Sequence, residues 1–486
     1  MDKHDKQLHS KDPGRIKQGR VSGLRLLSAI WIGKALIGLT RILGRGGTTL
    51  PGRTALTIAP DLSYLLANRL EMGTIIITGT NGKTTTAALI NGILKEAGLR
   101  CIHNQSGSNL TWGIASTFIE NSTWLGRING DLAVLEVDEG AFPTLTASLQ
   151  PRGIIVTNIF RDQLDRFGEI DSIQGLIQKG LDHLPSDSFL IINADDPTLA
   201  SLKNSTNSSR WTYGLELKLP AHNFNNTGRD IKTCPVCFKR LAYNMIYFAH
   251  IGHYYCPSCS FKRPEVKVKL TRNNIDSKGL NHVQVCLPDQ KLDLTIPLLG
   301  IYNLYNVLAA ATCAIALNIS SSIISSSLEK AAPSFGRMER FEKENKEIIM
   351  ALIKNPVGAN EVLRTILDQP GNINLIVAIN DRIADGTDIS WIWDVDFEQL
   401  STTKNRITTV IASGLRAFDM AVRFKYAGFE PEQLLVTESL NQAIETALEQ
   451  TAPGSRLFIL PTYTAMLEMR RYLNKLGLGK PYWGGS

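Results

Sequence analysis

The chain has 486 residues, 43% of them hydrophobic and 20% charged, with 52 Lys and Arg against 45 Asp and Glu for a formal charge of +7. This is the composition of an ordinary soluble globular protein, and its length calls for two or three domains, since single cores rarely grow past about 250–300 residues. Seven cysteines, four of them grouped, argue against a disulfide framework.

Residues 1–20 carry Lys3, Lys6, Lys11, Arg15, Lys17 and Arg20 and read as a basic disordered tail, either solvated or touching an anionic partner. Residues 21–70 form an N-terminal helical segment. Its most apolar stretch, Leu24 to Leu43, is interrupted by Arg25, Lys34 and Arg41, whereas a span needs about 20 nearly uncharged residues. Lys34, Gly38, Arg41 and Arg45 follow helical spacing and leave Leu36, Leu39 and Leu43 on another face. That spacing predicts an amphipathic helix, packed on its own domain or lying on a membrane surface. With no cleavable signal peptide visible, the chain is expected in the cytoplasm. Residues 46–56 read as a turn-rich connector.

The stretch Thr74 to Thr86 organises the rest of the chain. Ile75 to Ile77 read as a buried strand ending at Gly79, and Ala87 onward as a helix. Between them lies Gly79-Thr80-Asn81-Gly82-Lys83-Thr84-Thr85, a shortened phosphate loop with Ile77 where the common spacing has glycine. Its glycines let backbone N–H groups approach phosphate oxygens, Lys83 reaches the outer phosphates and Thr84 offers a hydroxyl to Mg²⁺. The chain is thus expected to bind ATP. Strands at 75–77, 132–137, 153–157 and 189–192, with helices at 84–97 and 171–184, predict a parallel sheet covered on both faces. Leu132 to Val137 runs into Glu136, Asp138 and Glu139, where Mg²⁺ on a triphosphate would sit. Glu136 is the first choice, and a solvated acidic turn is the alternative. The polar loops 157–168 and 193–197 would open on the same side.

Cys234-Pro-Val-Cys237 and Cys256-Pro-Ser-Cys259, 18 residues apart, have the spacing of a four-cysteine zinc ribbon inserted at about 230–265. Four thiolates leave no open position, so such a zinc is structural, and His250 and His253 are read as neighbours rather than ligands. Asn303 and Asn306 share one face at the start of an alanine-rich helix, where they cap it or face a purine and ribose. A serine run, 320–322 and 325–327, reads as flexible. The ATP-binding domain is placed over 71–335 and a second α/β domain over 336–486. The latter holds an aspartate-rich stretch from Asn380 to Asp396 after a buried strand.

Gly79 to Thr85, the Asn303–Asn306 pair and Phe335-Gly-Arg-Met-Glu339 together resemble the Mur ligases. With the cysteine insert and Asp385 to Phe397, they resemble that family's ligase subunits of lipid II isoglutaminyl synthase. The resemblance covers nearly the whole chain from about residue 25. It implies a Mur ligase-like α/β fold and ATP-dependent amidation of the D-glutamate α-carboxylate of the lipid II stem peptide, through an acyl phosphate. It implies Arg337 on phosphate, and ammonia from a GatD-type glutaminase subunit bound to the C-terminal domain as a heterodimer. There Asp388 would complete the partner's catalytic triad, with Asp385, Asp394 and Asp396 as rivals. Two departures stand out: Tyr302 and Gln163 replace histidines usual in the family. The alternatives are a stand-alone Mur-type amino-acid ligase and a zinc-ribbon ATPase that binds nucleic acid. The favoured reading has no nucleic-acid partner, a peripheral membrane contact and a place at the membrane's inner face.

Overall fold

The structure, a computed structural model, describes residues 23–42, 49–104, 108–161, 170–218, 230–276, 280–333, 336–401 and 403–478. The basic tail at 1–20, Asp162, Gln163 and Phe335 lie outside the described residues.

Three helices open the chain: α1 (Gly23–Ile42), α2 (Leu50–Ile58) and α3 (Leu62–Ala67). The second occupies the predicted connector. Pro51 stands in its first turn, where the missing N–H costs nothing, and Pro51 and Ala55 are buried. The first departs from a simple two-faced helix. Leu26, Ala29, Ile30 and Gly33 are buried, yet the opposite face is apolar as well, and Lys34 and Arg41 mark only a flank. By length and composition this helix is apolar enough to cross a membrane, contrary to the sequence reading. Its packing against α2 and α5 (Thr111–Glu120) nevertheless ties one face to protein.

The first body continues with β1 (Thr74–Thr78), α4 (Lys83–Glu96), β2 (Cys101–His103), β3 (Leu132–Glu136), α6 (Phe142–Leu149), β4 (Gly153–Val156), β5 (Phe189–Asn193) and β6 (Ser209–Leu215). They are followed by β7 (Ala242–Phe248), β8 (Ile251–Tyr255), β9 (Val268–Ile275), β10 (Asn281–Cys286) and β11 (Lys291–Ile296). Nine strands form one sheet in the order β11-β10-β9-β6-β5-β4-β1-β3-β2. Pairing is parallel from β2 through β9 and antiparallel in β9-β10-β11.

Strand alternation divides the core. Ile75 and Ile77 join α4 and the helix Ile301–Ala316 on one face, and Ile76 joins α1, α3, α5 and α6 on the other. The serine run is not flexible: it is the helix Ser321–Glu329, with Ile324 and Leu328 buried. Serines are small enough to lie against α4, where Ser327 approaches Gly92.

A second sheet of six strands has the order β12-β13-β17-β14-β15-β16. Its members are β12 (Arg337–Lys343), β13 (Lys346–Ala351), β14 (Ile373–Ala378), β15 (Ile407–Ser413), β16 (Leu434–Thr437) and β17 (Arg456–Pro461). It is parallel apart from the β12–β13 hairpin, whose turn residues Glu344 and Asn345 both have positive φ. The N-terminus of helix Pro356–Leu367 in this body faces the loop after β1.

Candidate functional site

The loop from Gly79 to Lys83 leaves the C-terminal end of β1, which lies between β3 and β4. This is a switch point in strand order, where open α/β sheets leave a crevice. Gly79 and Gly82 have φ of 118° and 88°. A Cβ at Gly82 would stand 2.3 Å from the Asn306 Oδ1, so only glycine fits there. Asn158 secures the loop: it accepts from the Asn81 N–H at 2.9 Å, and its amide donates to the Asn81 carbonyl at 3.0 Å. Thr80 is bonded to Phe160, accepting its N–H at 3.0 Å.

Helix α4 begins at Lys83 with its first N–H groups turned toward the crevice. Lys83 is buried and donates to Glu139 Oε1 at 3.1 Å and to the Gly79 carbonyl. Thr84 donates to Glu136 Oε2 at 2.8 Å. Glu136 is held by Asn104, which accepts its N–H at 2.8 Å and donates to its carbonyl. A hydroxyl and a carboxylate side by side beneath a phosphate loop are hard oxygen donors of the kind that suit hydrated Mg²⁺.

Asn303 and Asn306 are both buried on the first turns of helix Ile301–Ala316. Asn306 donates to Asn303 Oδ1 at 3.0 Å, and Asn303 donates to the Leu299 carbonyl at 2.7 Å. With Gly82, Thr85 and Asn158, Asn306 lines a cleft whose other wall comes from the second body. That wall includes Arg337, Lys354, Gly358 and Glu361. Reciprocal bonds between the Asn81 and Asn355 side chains, at 3.1 and 3.3 Å, close the two bodies over the loop.

Two ionisable groups lining this cleft, half-buried Arg337 and buried Glu361, are short of partners. Among the described residues Arg337 forms no ion pair, and burial lowers its pKa against the opposing pull of Glu136 and Tyr302. Glu361 is buried with Oε2 unpartnered, and burial lifts its carboxyl to about 7 despite Arg364. Tyr302, standing where a histidine is usual, is a half-buried phenol pushed well above the ordinary range by desolvation. An unpaired guanidinium and an unpaired carboxyl in one cleft suit a ligand with an anionic end and a hydroxyl- or amine-bearing end. The residues present therefore fit a nucleotide.

The cysteine insert is a separate small structure. Its four sulfurs lie within 4.8 Å of one another, with Cys234 to Cys259 at 3.7 Å and Cys237 to Cys256 at 3.4 Å. A tetrahedral ion with metal–sulfur bonds of about 2.3 Å would place sulfurs about 3.8 Å apart, so the cluster could hold a metal. The Val236 and Ser258 N–H groups each donate at 3.4 Å to the sulfur two residues back. His250 is instead buried beside Phe160 and Asp196, and His253 faces the Leu215 carbonyl. Arg263, bonded to Asp195 and Glu216, ties the insert to the main sheet, and Tyr305 bonds to the same Asp195 from the helix Ile301–Ala316.

The aspartates after β14 have different surroundings. Asp385 accepts from the Thr464 N–H at 2.7 Å, Asp394 pairs with Arg161, and Asp396 accepts from Gln399 at 2.9 Å. Asp388 is half-buried and bonded, among the described residues, to Ser390 of its own turn. Sequence reasoning missed Asn355 and Glu361 and left Glu139 as one of three adjacent acids. Asn355-Pro356 is a helix-start signal, and Glu361 is an acid on a helix face otherwise apolar.

A phosphate loop at a sheet switch point, with a second α/β body closing on it, is the architecture of the Mur ligase class. The sequence matches the Mur ligase middle domain over residues 77–254 and the MurT ligase C-terminal family over 352–466. It is 37% identical over 431 residues to the lipid II isoglutaminyl synthase (glutamine-hydrolyzing) subunit MurT of Streptococcus pneumoniae, covering 89% of this chain and 93% of that one. The subunit of the same name from Staphylococcus aureus strain COL is 36% identical over 453 residues, 93% and 98% of the two chains. Among solved structures, a pseudomurein peptide ligase type C from Methanothermus fervidus superposes with a TM-score of 0.63 at 25% identity, covering 85% and 80%. The chain belongs to the MurT family.

Proposed function

We propose that this chain is the ligase subunit of a lipid II isoglutaminyl synthase. It uses ATP to convert the D-glutamate α-carboxylate of the lipid II stem peptide into the amide of D-isoglutamine. The observation that carries the reading is the loop of this MurT family member, with Lys83 and Thr84 each seated on a carboxylate. Gly79 to Thr85 would cradle the phosphates, and Thr84 and Glu136 would hold Mg²⁺, whose charge offsets that on the transferring phosphoryl group. The substrate carboxylate attacks the γ-phosphorus and ADP leaves. Lys83, released from Glu139 by the incoming phosphates, stabilises the charge on the transferred group. Ammonia then attacks the acyl carbon, phosphate departs and the amide remains. Asn303, Asn306, Arg337 and Glu361 would hold the nucleoside end and the phosphates. Zn²⁺ on Cys234, Cys237, Cys256 and Cys259 serves only to fold the insert.

Ammonia is mostly protonated near neutral pH, so a protein source is an advantage, and the relatives are named as subunits. The partner in this reading is a GatD-type glutaminase seated on the C-terminal body, with Asp388 orienting its histidine. The turn Ser390–Asp394 that follows Asp388 packs on the helix Ala417–Tyr426, which exposes Phe418, Val422 and Tyr426 at four-residue spacing, and Trp393 lies 5.5 Å from Tyr426. Such an apolar face on a subunit is suited to a protein partner. The enzyme works in the cytoplasm, at the membrane face where its lipid-linked substrate is anchored. Membership of this family does not favour the stand-alone ligase or the nucleic-acid-binding ATPase.

The test is amidation of lipid II with ATP, Mg²⁺ and ammonium chloride. Lys83→Ala and Glu136→Ala should each lower turnover by more than about 100-fold while the chain stays folded. Near-normal activity in either variant, or amino-acid-dependent ATP turnover by the chain alone, would overturn the assignment.

A further inference from the structure

A surface helix ordinarily turns a polar face outward. Helix α1 does not. Leu24, Trp31, Ile32, Leu39 and Ile42 fall on one face at helical spacing, and each is exposed. Leu24 and Ile42, at its two ends, are 80% and 84% exposed. The opposite face, Leu26, Ala29, Ile30 and Gly33, is buried against the protein. The outward stripe is therefore a second apolar face with nothing over it among the described residues.

The surroundings continue it. Trp31 donates from its indole to the Trp124 carbonyl at 2.7 Å, which places exposed Trp124 and Leu125 beside the stripe. Lys34 stands over the Trp124 ring at 5.9 Å, and Arg53 over the exposed Trp112 ring at 5.4 Å. Tryptophans rimmed by cations are the composition of the bilayer interface, where the ring sits among headgroups and the cation reaches lipid phosphate. Charge points the same way. From Pro13 to Pro60 the sequence has eight Lys and Arg and no Asp or Glu. Arg25 lies on one flank of the stripe, and Lys34 and Arg41 on the other.

We infer that the exposed face of α1, with Trp124 and Trp112, is a docking surface for an anionic lipid bilayer. The helix lies in the plane of the interface with its outer residues among the headgroups and upper acyl chains. Because its inner face stays on α2 and α5, it does not span. The inference rests on the membrane-side location in the proposed function for its purpose, which is to hold the enzyme where a lipid-linked substrate presents its headgroup.

The full-length chain is sedimented with vesicles of phosphatidylcholine alone and of phosphatidylcholine with phosphatidylglycerol, at low and high salt, with nucleotide binding read in the same samples. The wild-type chain should partition at least about tenfold more onto the anionic vesicles, less so at high salt, and its tryptophan emission should shift to the blue. Trp31→Glu with Leu39→Glu, both exposed positions, should lose about tenfold in partitioning at unchanged melting temperature and unchanged ATP binding. Trp124→Ala, outside α1 in sequence but beside its stripe, should lose part of it. Wild-type chain that ignores anionic vesicles, or a variant that binds them equally, overturns the inference. So does light scattering that shows a dimer dispersed by the variant, because a second copy then covers the face. So does binding that appears only when residues 1–22 are deleted. Retained ATP binding without vesicle binding sinks this inference alone, whereas wild-type chain that binds no ATP sinks the proposed function.

Discussion

Glu361 is the residue whose environment is most at odds with its chemistry. Its Oε2 has no hydrogen-bond partner, and burial raises its carboxyl from 4.5 to about 7, against Arg364 and with the help of Asp368. Below pH 4.5 both folded and unfolded chains carry the proton, and the group costs nothing. Between 4.5 and about 7 only the folded chain keeps it, so folding stability falls as pH rises, by about 3 kcal/mol in all. Glu361→Gln removes the titration. Urea unfolding at about pH 5 and about pH 7.5 should show the variant gaining relative to wild type as pH rises. A wild-type loss equal to that of the variant would place the carboxyl near its ordinary value. ATP binding should weaken in the variant if Glu361 accepts from a nucleoside hydroxyl or amine, because Gln offers a weaker acceptor.

Among the elements, the cysteine insert is the one whose stability a metal would supply. Its own apolar cluster is small, with Cys234, Leu241, Tyr254 and Cys256 buried. Metal analysis of folded chain should give one Zn²⁺ per chain. Cys256→Ser should lose it and lower solubility, while ATP binding persists in whatever chain stays folded. Folded wild-type chain without metal would refute the zinc ribbon. The insert was legible because ligand spacing is local in sequence, and so was β1 with its phosphate loop, where strand, turn and helix are contiguous. Strands β9 to β11 were not. Arg272 on β9 and Asp293 on the edge strand β11 are exposed, Lys269 is half-buried, and their charge hides the alternation. The helix Ser321–Glu329 was hidden by serine, which reads as loop but here gives close packing on α4. Glu361 and Asn355 meet the loop only through tertiary closure, and no window of sequence contains that.

At the scale of the whole molecule, the proposed function assigns the two halves of the reaction to different sheets, and a single substitution can test that division. Lys83, Thr84 and Glu136 belong to the nine-stranded sheet and its first helix, while Asp388 follows β14 of the six-stranded one. Three neighbouring aspartates are committed to the fold. Asp385 anchors the helix at Thr464, Asp394 pairs with Arg161 across the two bodies, and Asp396 bonds to Gln399. Asp388 is fixed by Ser390 alone among the described residues and is half-exposed, and the turn that follows it packs on the helix Ala417–Tyr426. That arrangement leaves carboxylate lone pairs for a group from outside. A carboxylate accepting an imidazole N–H sets the tautomer and stabilises the imidazolium, and replacing it by Asn in a serine-protease triad costs about 10⁴-fold. A cysteine glutaminase should lose less, since a thiol ionises more readily than a hydroxyl. Asp388→Asn in the two-subunit complex should therefore cut glutamine-driven amidation of lipid II by about 10- to 1000-fold. Amidation driven by free ammonium should stay within about twofold, because the phosphorylating residues lie in the other sheet. Asp394→Asn should instead affect both, through the lost contact between the bodies. Equal loss of both activities in Asp388→Asn, or loss of neither, would remove Asp388 from the partner's triad and leave it a turn-capping residue.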